Sequence, residues 1–274
     1  MKIFKDKQSL RKELFKEKSV SFIPTMGGLH KGHLSLIKRA KNYKKKILVS
    51  IYVNPKQFNK LSDYKSYPRN IMNDIKTLKK INVNYLFLPS KKDIYEFKTS
   101  NKMHVDKFSK QLCGKFRKNH FRGVINVVNR FLEIIKPKYI FLGLKDFQQL
   151  HLIKKHILKR GINVKVIECR TVRERNGVAC SSRNFRLNDK DLKIASKIYY
   201  YLYKVKKKLK NNYSSFQANK IRKYIYDLGV DKIDYVQYIN VNNIQLLKKN
   251  NKTKKKFKIF IGYYLGKVRL IDNI

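Results

Sequence analysis

The sequence predicts an α/β protein: a Rossmann-like parallel sheet domain followed by a smaller C-terminal α+β lid domain. Three observations carry that prediction. Up to about residue 170, short apolar runs alternate with amphipathic stretches. The runs are apolar throughout rather than at every second position, as strands covered on both faces must be. After about residue 188 come two helical stretches and then short strands with two-residue alternation, the pattern of a half-buried antiparallel sheet. The expected domains are residues 1–170, binding nucleotide and acid, and residues 171–274, forming the lid.

In order, residues 19–24, 47–53, 85–89, 139–142 and 164–167 read as strands of the first domain. Helical periodicity runs from Gly32 to Tyr43 and from Arg69 to Ile81. It returns after Gly123, where Val124, Val127, Val128, Phe131 and Ile135 share one face. A further helix is expected from Asp146 to Lys159. In the second domain, helices are expected over 191–208 and 215–228, and strands over 233–239, 256–261 and 267–271. Strand and helix in alternation mean a parallel sheet with helices on both faces.

Sixty-six basic residues against 18 acidic ones give a net charge of +48. A nucleic-acid-binding protein is one reading of that number. Lysine occurs in every segment, however, and not on one arm or face, so compositional drift explains the charge better than a specific nucleic-acid site. Even the dense cluster at residues 252–258 reads as a solvated turn. Sequence-independent adhesion to nucleic acid at low salt is expected. Cys113, Cys169 and Cys180 are odd in number and widely spaced, with no C-x-x-C, so neither a disulfide framework nor a zinc site is suggested. The first residues lack an apolar export core and no window approaches the ~20 apolar residues of a membrane span. A cytoplasmic protein is expected.

Four segments at strand ends carry the chemistry. Pro24, Thr25, Met26, Gly27, Gly28, Leu29, His30, Lys31, Gly32 and His33 follow a strand and open a helix. Free N–H groups at such a helix N-terminus favour phosphate, and the glycines let main chain approach a nucleotide. His30 and His33 can share a face of the first turn, stabilising charge that develops on a phosphate as imidazolium or as neutral N–H donors. Asn54 and Gln57 end the next strand, amides able to bond a hydroxy acid, although an Asn-Pro turn alone is a structural device. Gly143, Leu144, Lys145, Asp146 and Gln149 follow a third strand. Lys145 suits a phosphate, Gln149 faces the same side one turn on, and Asp146 either belongs to the site or simply caps the next helix. Val172 and then Cys180, Ser181, Ser182 and Arg183 fall near the domain boundary, two hydroxyls and a guanidinium forming an anion-binding set. A fifth segment, from Cys113 to Gly123 with Arg117 and His120, lines the acid pocket or caps the fold.

Together these segments resemble the pantothenate synthetase family, in the right order and spacing from Pro24 to Asn184 and again from Val268 to Asn273. That family belongs to the H-x-G-H nucleotidyltransferase superfamily. The resemblance implies that ATP and (R)-pantoate give pantoyl adenylate and pyrophosphate with Mg²⁺, and that β-alanine then displaces AMP. It places Met26 to His33, Gly143 to Asp146, Val172 and Cys180 to Arg183 at ATP, with His33 as proton donor. It places Gln57 and Gln149 at pantoate, with Gln57 also near β-alanine, and it implies a homodimer. The expected catalytic set is His33, His30, Lys145, Ser181, Ser182 and Arg183, with Asn54 added to the acid site. Lys31 stands where the family has an acidic residue, and Leu144 where it has glutamate. The sequence identifies no metal ligands. A nucleotidyltransferase with a stable NMP-linked product is the competing reading, against which Gln57 and Gln149 stand.

Overall fold

The structure, a computed structural model, describes residues 1–59, 61–209, 216–242, 244–246 and 257–274. It divides into two compact units, Met1–Thr171 and Val172–Ile274.

The first unit is built on a six-stranded parallel sheet. Its strands are β1 (Lys2–Phe4), β2 (Val20–Thr25), β3 (Lys46–Ile51), β4 (Tyr85–Phe87), β5 (Tyr139–Gly143) and β6 (Lys165–Cys169). Their spatial order is β1-β4-β3-β2-β5-β6. Its helices are α1 (Lys7–Phe15), α2 (Lys31–Lys41), α3 (Leu61–Lys65), α4 (Ile71–Lys80), α5 (Lys91–Tyr95), α6 (Cys113–Phe116), α7 (His120–Ile135) and α8 (Phe147–Lys159). Alternate residues of the four central strands feed two cores. Phe22, Leu48, Phe87 and Ile140 meet α7 and α8 on one face. Ile23, Val49, Leu86 and Phe141 meet α2 and α4 on the other. Both faces being apolar, the strands read as continuous runs. The chain leaves β2 to build β3 on one side and returns to build β5 on the other, so the carboxyl ends of β2, β3 and β5 flank the point where strand order reverses. Ligands of open α/β sheets bind at such a point.

The second unit contains α9 (Asp189–Leu209), α10 (Ala218–Asp227) and a four-stranded antiparallel sheet in the order β10-β9-β7-β8. Its strands are β7 (Lys232–Asn240), β8 (Gln245–Leu246), β9 (Phe257–Leu265) and β10 (Val268–Asn273). The expected half-buried alternation is not what β7 and β9 show, since both are buried along nearly their whole length. One face packs on α9 and α10 through Val236, Ile259, Ile261 and Leu270. On the other face Asp234 and Arg269 form a buried ion pair at 2.8 Å, and the Tyr235 ring lies against Gly262. Polar residues there are buried by pairing, so polarity and exposure part company. Of the lysine cluster expected as a solvated turn, residues 252–256 lie outside the described residues. Lys258 is half-buried on β9, where burial and the neighbouring Lys206 bring its pKa down to about 8.

Five elements of the first unit escape the sequence pattern: β1, α1 and the short helices α3, α5 and α6. β1 is three residues long, and α1 buries only Leu10, so neither shows a period. Helix α7 begins at His120 rather than after Gly123. That glycine does not mark the helix start; it lies within the first turn, where a Cβ would come 2.2 Å from the Lys56 carbonyl oxygen.

A buried polar link ties α7 to α8. His156 is fully buried, bonds the Asn129 Oδ1 through Nε2 at 3.0 Å, and accepts the His104 N–H on Nδ1 at 3.2 Å. Burial first, then His104 and Arg160, lowers its pKa to about 4. The folded state binds this proton less readily than the unfolded chain. The stabilisation is therefore full above the ordinary histidine value near 6.5 and is lost as pH falls toward 4, amounting to about 3 kcal/mol at most. Thermal melts should show the wild type losing more stability between pH 7 and pH 4 than His156→Gln does. Parallel losses would show that His156 does not titrate in this way.

Candidate functional site

The loop after β2 is held from within. Thr25 Oγ1 accepts the Gly27 N–H at 3.2 Å, Asp74 Oδ2 the Gly28 N–H at 2.9 Å, and Asp74 Oδ1 the Leu29 N–H at 2.9 Å. His30 N-caps α2, its Nδ1 accepting the Gly32 N–H at 3.1 Å. The four amides at 27, 28, 29 and 32 are thus bonded inside the protein. The expectation that the loop presents free N–H groups to phosphate is corrected for these four. Gly27 and Gly28 have φ of +80° and +61°, the left-handed conformation that a loop folded back on α4 requires.

His30 and His33 lie one above the other, ring centroids 4.1 Å apart. His33 Nδ1 is buried and has no hydrogen-bond partner among the described residues. Burial first, then the His30 ring, pushes its pKa down to about 3, with Asp146 opposing and Lys145 adding to the shift. His33 is therefore neutral across the physiological range, an N–H donor rather than an imidazolium. The same influences show that the loops after β2 and β5 converge. Lys31 is exposed on the first turn of α2.

Lys145 and Asp146 follow β5 in a 3-10 turn, their side chains paired at 3.5 Å. Asp146 occupies the N-cap of α8 without a side-chain capping bond, so the cap reading does not hold. Gly143 faces open space, with nothing within 4 Å of where a Cβ would stand, so packing alone does not require a glycine there. Leu144 packs at the edge of the α7 and α8 core. Gln149 is part-exposed and makes no side-chain hydrogen bond among the described residues. Its neighbour Gln148 is buried, accepting the Cys113 N–H at 3.1 Å and donating to the Phe108 and Gln111 carbonyls at 2.8 Å each.

After β3, Asn54 is buried and fully committed. Its Oδ1 accepts the Lys56 N–H at 3.2 Å and the Tyr95 hydroxyl at 2.8 Å. Its Nδ2 donates to Gln57 Oε1 at 3.3 Å and to the Gly123 carbonyl at 3.1 Å. A primary amide has no further capacity. The expectation that Asn54 bonds the acid is corrected: it holds Gln57. Gln57 Nε2 lies 2.6 Å from Met26 Sδ, which joins this turn to the β2 loop. The Gln57 carbonyl accepts His120 Nδ1 at 2.7 Å and Arg117 Nη2 at 3.3 Å, and Arg117 Nη1 meets His120 Nε2 at 2.9 Å. The fifth segment therefore buttresses Gln57. Sequence reasoning missed Asp74 and Tyr52, whose buried hydroxyl has no partner among the described residues. No local pattern marks either.

The remaining residues belong to the second unit. Cys180 N–H bonds the Val172 carbonyl at 3.0 Å across a tight turn, and Cys180 Sγ lies 3.1 Å from Glu174 Oε1. Ser181 caps a 3-10 turn, its Oγ accepting the Arg183 N–H at 3.3 Å; Ser182 is buried and Arg183 part-exposed. Arg173, next to Val172, is anchored by a bidentate pair with Asp272 at 2.6 and 3.0 Å. Among the described residues, no three His, Cys, Asp or Glu side chains group closely enough to hold a metal ion. Nor is any helix among them long and apolar enough to cross a membrane.

Residues 2–274 match the model of a family described as pantoate-beta-alanine ligase. The chain is 40% identical over 270 residues to a pantothenate synthetase of Francisella tularensis subsp. mediasiatica, covering 97% of this chain and 92% of the relative. It is 39% identical over 272 residues to a pantothenate synthetase of Pseudothermotoga lettingae, covering 96% and 93%. It superimposes on a crystal structure of pantoate-beta-alanine ligase from Francisella tularensis, complexed with beta-gamma ATP and beta-alanine, with a TM-score of 0.82, 38% identity, and coverage of 100% and 97%. Pantothenate synthetase from Thermus thermophilus superimposes with a TM-score of 0.88 at 28% identity, covering 100% and 99%.

Proposed function

The chain belongs to the pantoate–β-alanine ligase family, and from that premise we propose how its own residues carry the ATP-dependent ligation of pantoate with β-alanine. The observation that carries the proposal is the convergence of three strand-end loops. His33 senses Lys145 and Asp146, and Gln57 reaches Met26.

A carboxylate is a poor acylating agent, so the reaction has two parts. A carboxylate oxygen of (R)-pantoate attacks the α-phosphorus of ATP; the new O–P bond forms as the P–O bond to pyrophosphate breaks. The amine of β-alanine then attacks the acyl carbon of pantoyl adenylate; the C–N bond forms, the C–O bond to AMP breaks, and the amine loses a proton. His33 meets the charge growing on the α-phosphate with a neutral N–H, in a site already folded to receive it. His30 supports it, its own proton fixed on Nε2 because Nδ1 accepts the Gly32 N–H. Lys145 supplies a fixed cation for the phosphates. The space beside Gly143 admits the nucleotide without a side chain in the way.

Gln57, oriented by Asn54, His120 and Arg117, and Gln149, with its amide uncommitted among the described residues, bond the hydroxyl and carboxylate oxygens of pantoate. Gln57 also meets β-alanine. Ser181, Ser182 and Arg183, with Cys180 and Val172, are assigned to ATP by the family resemblance, and two hydroxyls and a guanidinium suit an anionic phosphate. Mg²⁺ fits here as the counter-ion of the nucleotide, since it prefers phosphate oxygens, water and one or two carboxylates, and Asp146 is a part-exposed carboxylate beside Lys145. Bound so, it would neutralise phosphate charge. A homodimer, implied by the family resemblance, and a cytoplasmic location, expected from the sequence, complete the proposal.

The test is AMP release. With ATP and pantoate alone, pyrophosphate should appear without free AMP beyond slow hydrolysis; adding β-alanine should release AMP and pantothenate together. A stable adenylylated product indifferent to β-alanine overturns the assignment.

A further inference from the structure

We propose that Asp74 is a positioning residue for the nucleotide loop, holding the Gly28 and Leu29 peptides so that His30 and His33 present their rings to the phosphates. This rests on the reading of that loop as the ATP site. Asp74 lies on α4 and is 1% exposed. Its two oxygens accept two adjacent main-chain N–H groups at 2.9 Å each, across 46 and 45 residues of sequence. A Cβ on Gly27 would sit 3.0 Å from Asp74 Oδ2 and 3.1 Å from Ile51 Cγ2, so the loop lies directly on the carboxylate.

The chemistry restricts what else can stand there. Two parallel N–H donors need two acceptors on one side chain. A carboxylate offers both. An asparagine offers one and turns its own NH₂ toward the second donor. Burial works against the ionised carboxyl and the two N–H bonds work for it, with burial the larger, so the pKa lies above the ordinary value. An acid kept under that penalty, with no cation bonded to it among the described residues, is a costly way to anchor a helix. It is an effective way to fix a loop. Leu29 immediately precedes His30, the N-cap of α2, and His33 lies on that helix's first turn. Turning the Leu29 peptide therefore moves both rings at once.

The experiment uses the full chain carrying Asp74→Asn, with Asp74→Ser read in the same way if the first does not fold. Adenylation is followed as pyrophosphate release per folded molecule. A misplacement of about 1 Å at reacting groups lowers rate by about 10²-fold, and a kcat loss of that order is expected. The pantoate KM should hold. In parallel, histidine-labelled protein without ligand is titrated by NMR, and the His33 midpoint should rise from its depressed value toward the ordinary one as the ring loses its buried seat. A purely structural Asp74 would lower the melting temperature while leaving folded molecules with wild-type kcat and the His33 titration unmoved; that result overturns the proposal. If the wild type itself releases no pyrophosphate, the functional reading fails, and the NMR titration still decides whether Asp74 seats His33.

Discussion

Replacing His33 with alanine is expected to slow pyrophosphate release by roughly 10²–10³-fold, the usual consequence of removing one preorganised donor from a developing charge. The fold should be indifferent. His33 Nδ1 is buried without a partner among the described residues, so deleting the ring removes an unsatisfied polar atom along with some packing. Melting temperature and ATP-independent properties should stay close to wild type while kcat for adenylation falls. The pH profile adds a second reading. Because His33 sits at about 3 in the empty site, adenylation by the wild type should show no loss attributable to it as pH rises through the ordinary histidine value of about 6.5. A proton-donating imidazolium would show such a loss. Near-normal pyrophosphate release by the variant would remove His33 from the mechanism.

Gly123→Ala is expected to damage the acid pocket from behind. Its Cβ would lie 2.2 Å from the Lys56 carbonyl oxygen and 2.9 Å from Gln57 Cα, contacts with main chain that no rotamer change relieves. Either α7 backs away or the turn at 55–57 shifts by about an ångström, and Gln57 moves with it. The Gly123 carbonyl also receives Asn54 Nδ2, so the support of Gln57 is disturbed twice. A rise in pantoate KM and a fall in kcat of together about 10²-fold should follow, with about 1–3 kcal/mol of lost stability. Unaltered pantoate kinetics in a folded variant would show that Gln57 is not placed by this contact.

The sheet was legible because its strands are buried on both faces: Ile47, Leu48 and Val49 have nowhere polar to point, and such runs stand out in any lysine-rich sequence. The histidine loop and the turns at Asn54 and Lys145 were legible for the same reason, since each directly ends one of those runs. What stayed hidden lies in pairings far apart along the chain. Asp74 reads as one more polar position on a helix, and nothing local says that its oxygens meet Gly28 and Leu29. His120 and Arg117 could be seen to be basic, but their bond to the Gln57 carbonyl spans 63 and 60 residues. Asn54 was legible as a turn and as an amide, yet which use prevails depends on Tyr95 and Gly123. Gly123 itself misled, because a glycine that lets two backbones touch looks the same in sequence as one that ends an element.

The bonded amides of the nucleotide loop also bear on how this enzyme can change over generations. A phosphate cradle made of main chain survives almost any substitution, since every residue but proline carries the same N–H. Here the N–H groups of 27, 28, 29 and 32 already face inward. On the proposed reading, recognition of the nucleotide leans the more on particular side chains, each open to replacement by a single codon change. Such a site is easily retuned and easily lost, and in a chain whose surface has run so far toward lysine, selection must act residue by residue to keep it.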